Sequence, residues 1–189
     1  MNFSAVILAG GKSSRMGRDK AFVEIGRQTL LARQLQLVRE VGAAEIFISG
    51  RGGVDYSTFG CQVLTDTLLE AGPLAGIESA LAAMTAPLLL VLAVDLPNVN
   101  ANFLRDLLAK SVGDIGIIPR VAGQMEPLAA TYPRPAHRLA VAGLRAGKLA
   151  VRDFVRACVA DKLVTVTEFP VEAAAWFQNC NSPADLPPA

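Results

Sequence analysis

The sequence carries almost no net charge and few aromatic side chains. Its 18 Lys and Arg residues nearly balance 17 Asp and Glu residues, which leaves a formal charge of +1, and aromatic residues make up only 6% of the chain. Proteins that bind nucleic acid or an anionic membrane usually concentrate basic charge, and base-stacking surfaces need aromatic rings. The composition therefore argues against nucleic acid and membranes as partners.

Cysteine and histidine are also scarce. The three cysteines, Cys61, Cys158 and Cys180, are odd in number and far apart, and no two of them have the spacing of metal ligands. We interpret them as reduced, buried thiols of a cytosolic protein. The single histidine, His137, has no cysteine or acidic residue near it in the sequence, so we expect a surface side chain rather than half of a catalytic pair.

No apolar run is long enough to predict a membrane span. The stretch 71–94 has one charged residue, but Gly72-Pro73 and Ala86-Pro87 interrupt it, whereas a span needs about 20 uninterrupted apolar residues. The residues before Gly10 include neither a basic leader nor a cleavage-type pattern of small residues. We therefore expect no signal peptide and a cytoplasmic location.

A loop rich in glycine, hydroxyl and basic residues follows the first predicted strand. The apolar run Phe3 to Leu8 is followed by Ala9-Gly10-Gly11-Lys12-Ser13-Ser14-Arg15-Met16-Gly17-Arg18-Asp19-Lys20. Adjacent glycines let backbone N–H groups approach a ligand, and such a loop at the carboxyl end of a strand suits a nucleoside triphosphate. Its spacing matches neither a Walker loop nor a dinucleotide fingerprint. A glycine-rich turn with solvated charges is the alternative.

Strand and helix patterns alternate along the first 110 residues. After the first strand, apolar runs predict strands at 45–49, 62–65 and 88–94, and helical spacing predicts helices at 29–41, 74–84 and 101–110. This order is typical of an α/β fold with a doubly wound, mostly parallel sheet and helices on both faces. Strands predicted at 115–119 and 127–132 add a small antiparallel excursion, and helices at 135–146 and 150–159 and a strand at 163–168 follow. Without repeats or a linker, we expect one domain over residues 1–189.

Asp95 is a second candidate for chemistry. It follows the most apolar predicted strand and opens the tripeptide Asp95-Leu96-Pro97. Ligands of open α/β sheets bind outside the carboxyl ends of the strands, and a carboxylate beside a triphosphate suits Mg²⁺. The alternative is a turn or capping aspartate before the proline. The nucleotide interpretation requires Gly10 and Asp95 to face the same side of the molecule.

These segments resemble the molybdenum cofactor guanylyltransferases, the MobA-like family of the nucleotidyltransferase superfamily. The resemblance rests on four segments: loop 8–20, Gly72-Pro73-Leu74-Ala75-Gly76-Ile77, Asp95-Leu96-Pro97 and Asn179-Cys180-Asn181-Ser182-Pro183. It implies a Rossmann-like nucleotidyltransferase fold that transfers GMP from GTP to the terminal phosphate of molybdopterin. Pyrophosphate would leave, and the guanine dinucleotide form of the molybdenum cofactor would be the product. Other cofactor-biosynthesis or acceptor proteins are the implied protein partners.

The resemblance also implies roles for individual residues. GTP would be bound by Leu8, Ala9, Gly10, Gly11, Lys20, Asp66 and Asp95. Arg15, Lys20 and Asp95 would form the catalytic set, in which the cations hold the triphosphate and Asp95 binds Mg²⁺. Asn179 and Asn181 would contact substrate, or else serve as turn and helix-capping residues. The segment 126–132 resembles the region near the pterin site, with a structural edge strand as the equal alternative.

Two other functions remain open at this point. A cytidylyltransferase acting on molybdopterin, or on a sugar or polyol phosphate, carries a similar loop. Such relatives tend to have Ala-Ala-Gly where this chain has Ala9-Gly10-Gly11, so the difference from a guanylyltransferase is small. A non-catalytic nucleotide-binding module of the same fold is the other alternative, against which Lys20 and Asp95 argue. The fold alone does not decide among them.

Overall fold

A five-stranded sheet with helices on both faces forms the centre of the fold. The computed structural model describes residues 1–10, 19–65 and 72–178. The strands are β1 (Phe3–Leu8), β2 (Glu24–Ile25), β3 (Gln28–Thr29), β4 (Glu45–Gly50), β5 (Gln62–Thr65), β6 (Leu88–Ala93), β7 (Gly116–Val121), β8 (Gln124–Met125), β9 (Ala129–Pro133) and β10 (Val164–Glu168). The α-helices are α1 (Leu30–Glu40), α2 (Pro73–Ala83), α3 (Ala101–Lys110), α4 (His137–Arg145) and α5 (Val151–Ala160), and shorter 3₁₀ turns cover Lys20–Phe22, Ser57–Phe59, Arg134–Ala136 and Val171–Phe177.

The main sheet has the strand order β5-β4-β1-β6-β9. Neighbours among the first four strands run parallel, and β9 runs antiparallel to β6 at the edge. Every residue of β1 and β6 is buried, because parallel strands covered by helices on both faces need apolar side chains on both sides. The doubly wound, mostly parallel sheet predicted from the sequence is therefore confirmed.

Two apolar layers cover the sheet, one on each face. Alternate residues of β1 point into different layers: Ala5 and Ile7 belong to one cluster, and Val6 and Leu8 to the other. Helices α1 and α3 contribute to the first cluster, and α2, α4 and α5 to the second; the helix residues involved include Leu31, Leu35, Phe103 and Leu107 in the first and Leu74, Ile77, Ala140 and Phe154 in the second. Among the helices that the structure describes, none is both long and apolar enough to cross a membrane.

The small antiparallel excursion predicted after α3 is also present. Strands β7 and β8 form a hairpin through Ala122 and Gly123, whose φ angles of 49° and 81° suit a tight two-residue turn. Strand β10 adds to β7 in parallel and completes a three-stranded sheet. This sheet packs directly on β9, since a Cβ atom at Gly116 would lie 2.2 Å from the Thr131 carbonyl oxygen.

Candidate active site

The carboxyl ends of β1, β4 and β6 meet at one edge of the main sheet. Just beyond β1, Ala9 N donates to the Ser49 carbonyl at 2.8 Å, and Val94 N donates to the Leu8 carbonyl at 3.1 Å. The chain leaving β1 therefore passes between the ends of its two neighbours. Gly10 and Asp95 follow adjacent parallel strands and emerge on the same side of the molecule, as the nucleotide interpretation requires.

Lys20 and Asp95 form an ion pair at this edge. Lys20 Nζ lies 3.0 Å from Asp95 Oδ2, although the two residues are 75 positions apart in the sequence. The Lys20 side chain is 15% exposed and that of Asp95 is 25% exposed, so both are largely shielded but still open to a ligand. The fold thus brings together a mobile cation, suited to phosphate oxygens, and a carboxylate, suited to a hard metal ion.

The turn that carries Lys20 is anchored on both sides. Asp19 caps the 3₁₀ turn Lys20–Phe22 by accepting a hydrogen bond from Ala21 N through its Oδ1 at 2.9 Å. Directly after the turn, the Val23 carbonyl accepts a hydrogen bond from Leu30 N at 2.8 Å. The first residue of α1 is therefore tied to the segment that holds Lys20.

The same helix holds the backbone that follows Asp95. Gln34 Nε2 donates to the Leu96 carbonyl at 2.7 Å, and Arg33 Nε donates to the Pro97 carbonyl at 2.8 Å. Gln34 is fully buried, so its amide nitrogen replaces the water that the Leu96 carbonyl would otherwise bind. Reasoning from the sequence missed Gln34. The signal that could have found it is its place in the predicted helix, directly beside the apolar Leu35.

The chain entering β9 borders the same edge. Ala93 N, at the end of β6, donates to the Leu128 carbonyl at 2.8 Å, so residues 126–128 run beside the backbone that leads to Asp95. Burial raises the pKa of the Glu126 carboxyl above its ordinary value. Residues 129–133 form the edge strand β9, which agrees with the structural alternative for that part of the segment.

Gly76 lets α2 approach the ends of β1 and β4 closely. A Cβ atom at this position would lie 2.2 Å from Ser49 Oγ and 2.9 Å from Leu8 Cδ2. At Gly10, by contrast, a Cβ atom would meet only ordinary contacts, the nearest being the Gly50 carbonyl oxygen at 3.6 Å. Among the described residues, close packing requires glycine at position 76 but does not require it at position 10.

The predicted site also includes five residues that lie outside the described parts of the chain: Gly11, Arg15, Asp66, Asn179 and Asn181.

His137 has an acidic neighbour in the fold that is not near it in the sequence. Its Nε2 lies 2.8 Å from Glu78 Oε1, and its side chain is 38% exposed. The pair joins α4 to α2, and the local sequence does not reveal it because the two residues are 59 positions apart.

The sequence is similar to known nucleotidyltransferases along most of its length. Residues 5–163 match the MobA-like NTP transferase domain. The chain is 38% identical over 185 residues to a protein of Opitutus terrae named "Probable molybdenum cofactor guanylyltransferase", and this alignment covers 96% of this chain and 92% of that protein.

Solved structures share the fold. A molybdopterin-guanine dinucleotide biosynthesis protein A from Archaeoglobus fulgidus superposes with a TM-score of 0.74 at 22% identity, covering 97% of this chain and 94% of that one. A 2-C-methyl-D-erythritol 4-phosphate cytidylyltransferase from Thermus thermophilus gives 0.75 at 22% identity, covering 98% and 96%. At this identity the two structures show the fold and leave the choice of nucleotide open. The domain match and the identity to the Opitutus terrae protein establish that the chain belongs to the MobA-like NTP transferase family.

Proposed function

We propose that this chain is a molybdenum cofactor guanylyltransferase, which transfers GMP from GTP to the terminal phosphate of molybdopterin. The observation that carries the proposal is the Lys20–Asp95 pair, 3.0 Å apart at the carboxyl edge of β1 and β6. The names of close relatives supply the substrates: the Opitutus terrae protein is 38% identical and is named for this activity.

The reaction needs no nucleophile from the protein. A terminal phosphate oxygen of molybdopterin attacks the α-phosphorus of GTP, and the bond from that phosphorus to the bridging oxygen breaks. Pyrophosphate leaves with the bonding electron pair. Because both reactants are anions, the protein has to hold them in line and offset their repulsion, which are the main contributions of a site to phosphoryl-type transfer.

Lys20 supplies the positive charge for the triphosphate. Its ammonium group is held at the sheet edge, where charge on the leaving pyrophosphate would develop. We assign Arg15 to grip two phosphate oxygens at once. Leu8, Ala9, Gly10 and Gly11 would meet the nucleotide through their backbone, in agreement with the finding that packing among the described residues does not require glycine at position 10.

The remaining contacts are assigned by the family resemblance. Asp66 would contact the nucleotide, and Asn179 and Asn181 would contact the phosphate or pterin groups of the acceptor. These three residues lie outside the described parts of the chain. They remain proposals about side-chain chemistry that mutation can test one at a time.

Asp95 is the residue that would hold Mg²⁺. Its partly exposed carboxylate provides a hard oxygen donor, and Mg²⁺ usually takes one or two protein carboxylates together with phosphate oxygens and water. The described residues contain no cluster of three or more acidic, histidine or cysteine side chains. A single carboxylate such as that of Asp95 fits a metal whose other ligands are phosphate oxygens and water. When bound, Mg²⁺ would supply positive charge against the phosphates.

The test is a transfer assay with purified protein, GTP, molybdopterin and Mg²⁺ in which both pyrophosphate release and GMP incorporation are measured. We expect Asp95→Ala to abolish the Mg²⁺-dependent transfer while the fold survives, and Lys20→Ala to lower turnover at least about 100-fold with little change in Tm. Asp106→Ala is the matched control, because it removes a carboxylate from an ion pair of the same 3.0 Å length, with Lys110 on α3.

Three results would contradict the proposal. One is an Asp95→Ala variant that stays active and responsive to Mg²⁺, and another is unaltered kinetics for Lys20→Ala. The third is tighter calorimetric binding of CTP than of GTP, with faster transfer from CTP, which would favour a cytidylyltransferase.

A further inference from the structure

A buried tyrosine links the end of β4 to the segment that carries Lys20. Tyr56 lies between β4 and β5, and only 1% of its side chain is exposed. Its hydroxyl donates to Asp19 Oδ2 at 3.0 Å and accepts a hydrogen bond from Arg51 N at 3.1 Å. The hydroxyl is therefore used both as donor and as acceptor, and it joins two segments that are far apart in the sequence.

The other oxygen of Asp19 holds the turn itself. Asp19 Oδ1 accepts a hydrogen bond from Ala21 N, so one carboxylate joins the tyrosine hydroxyl to the first residues of the 3₁₀ turn Lys20–Phe22. Lys20 is the residue directly between these two attachments. Any movement of Asp19 would move the backbone from which the Lys20 side chain reaches Asp95.

The tyrosine ring is fixed as tightly as its hydroxyl. One side stacks on Phe22, with ring centroids 5.8 Å apart and planes 21° apart. The ring also packs on the backbone of Gly50, where a Cβ atom would lie 2.4 Å from Tyr56 Cε2. Gly50 ends β4, next to Ser49, whose carbonyl binds Ala9 N. Tyr56 thus contacts both the Lys20 turn and the strand end that binds Ala9, the residue directly after β1.

We propose that Tyr56 is a positioning residue, whose hydrogen bond to Asp19 holds Lys20 in place against Asp95 for the nucleotidyl transfer. This role deepens the proposed function and rests on it. Tyr56 touches no reacting group; it acts through Asp19 and the 3₁₀ turn.

The Tyr56 hydroxyl can donate its hydrogen bond at any pH near neutrality. Burial raises the pKa of Tyr56 to about 12, so the group stays protonated across the neutral range. A phenylalanine would keep the stack on Phe22 and the contact with Gly50 but leave Asp19 Oδ2 and Arg51 N without this shared partner.

The reactivity of Lys20 tests the proposal without reference to catalysis. Trace acetylation followed by mass spectrometry measures each lysine separately, and Lys110, paired with Asp106 on α3, serves as the internal reference. In Tyr56→Phe we expect Lys20 to react about fivefold faster relative to Lys110, the factor that corresponds to about 1 kcal/mol for one hydrogen bond.

Two further variants make the result specific. Ser111→Ala is the stability control: it removes a buried hydroxyl bonded to the Leu107 carbonyl and to Thr131 Oγ1, at the far end of α3, and it should leave the Lys20 reactivity unchanged. Asp19→Asn changes the acceptor of the Tyr56 hydroxyl and leaves the buried ring in place. Because asparagine is as good a capping residue as aspartate, the cap on Ala21 N is kept. Asp19→Asn should reproduce the effect of Tyr56→Phe even if that variant does not fold.

The transfer assay completes the test. We expect Tyr56→Phe to lower kcat about tenfold, with KM for GTP little changed and a fall in Tm no larger than that of Ser111→Ala. If Tyr56→Phe and Asp19→Asn leave both Lys20 reactivity and kcat within about twofold of wild type, the positioning role is overturned. If Lys20 reactivity rises but even the wild-type protein transfers no GMP, the proposed function fails while the link from Tyr56 to Lys20 is supported.

Discussion

The close approach of α2 to the sheet makes Gly76→Ala an informative perturbation. The new Cβ atom would lie 2.2 Å from Ser49 Oγ and 2.9 Å from both Ser49 Cβ and Leu8 Cδ2. Contacts this short cannot be kept, so either α2 or the ends of β1 and β4 have to move. Both strands lie in the interior of the sheet, and Leu8 and Ser49 are buried, which leaves little space for the movement.

The expected cost follows from two opposing effects. Alanine is favoured over glycine in a helix by about 1 kcal/mol, whereas overpacking of a well-packed interior costs about 1–3 kcal/mol. With three short contacts on two strands, we expect the cost to lie in the upper part of that range and the net loss to be about 1–2 kcal/mol. For a chain of this size, this corresponds to a fall in Tm of about 2–8 °C.

The assay is thermal and denaturant unfolding of Gly76→Ala beside Gly143→Ala. Gly143 also lies inside a helix, but its Cβ atom would meet the Lys148 carbonyl oxygen at 3.4 Å and Leu74 Cδ2 at 3.5 Å, which are ordinary contacts. Gly143→Ala should therefore keep the gain in helix propensity and be as stable as wild type or more so. If Gly76→Ala matched Gly143→Ala in stability, the argument that α2 is locked against the strand ends would be refuted.

Two further predictions concern titration and thiol reactivity. Hydrogen bonds from Ser4 Oγ and Thr85 N lower the pKa of Glu45 below its ordinary 4.5, so the stability contributed by this carboxylate is present above pH 4.5 and is lost as the pH falls through the lower folded value. Ser4→Ala should reduce this acid-dependent loss in denaturant unfolding below pH 4.5, and an unchanged pH profile would count against the assignment. Burial raises the pKa of Cys158 to about 12, so iodoacetamide at neutral pH should modify the half-buried Cys61 and spare Cys158; equal rates would show that α5 opens readily.

The secondary structure was largely predictable because its signals are local. The predicted helix 101–110 agrees with α3, and Asn100 caps it, since its Oδ1 accepts a hydrogen bond from Phe103 N at 3.0 Å. The unbroken apolar run at 88–94 corresponds to the interior strand β6, which is one residue shorter. In both segments, capping chemistry and apolar pattern act within a few residues, so the sequence alone contains them.

The partner of β9 was not predictable in the same way. The sequence indicated a strand near 127–132, but nothing in that segment says that it returns to pair with β6 in the main sheet. The pairing depends on how the β7–β8 hairpin redirects the chain. Strand pairing between distant segments is decided by packing of the whole fold, which a local pattern does not encode.

The same distinction applies to the candidate site: some of its features are local in the sequence, and others exist only in the folded chain. Asp95 and the glycine-rich loop were identified from residue type and position after a strand, which are local features. The 3.0 Å contact between Lys20 and Asp95 and the bond from Tyr56 to Asp19 join residues that only the folded chain brings together.

The attachments made by α1 place a constraint on how the length of this chain can change. Leu30 N binds the Val23 carbonyl, shortly after Lys20 in the chain. One helical turn later, Gln34 binds the Leu96 carbonyl, directly after Asp95. Because each residue turns a helix by about 100°, one inserted residue between them would point Gln34 away from its carbonyl and separate the two supports. Among the residues that the structure describes, none attaches to the hairpin tip at 122–123 in this way. Among relatives of this chain, we therefore expect insertions and deletions at the hairpin tip and none in the first turn of α1.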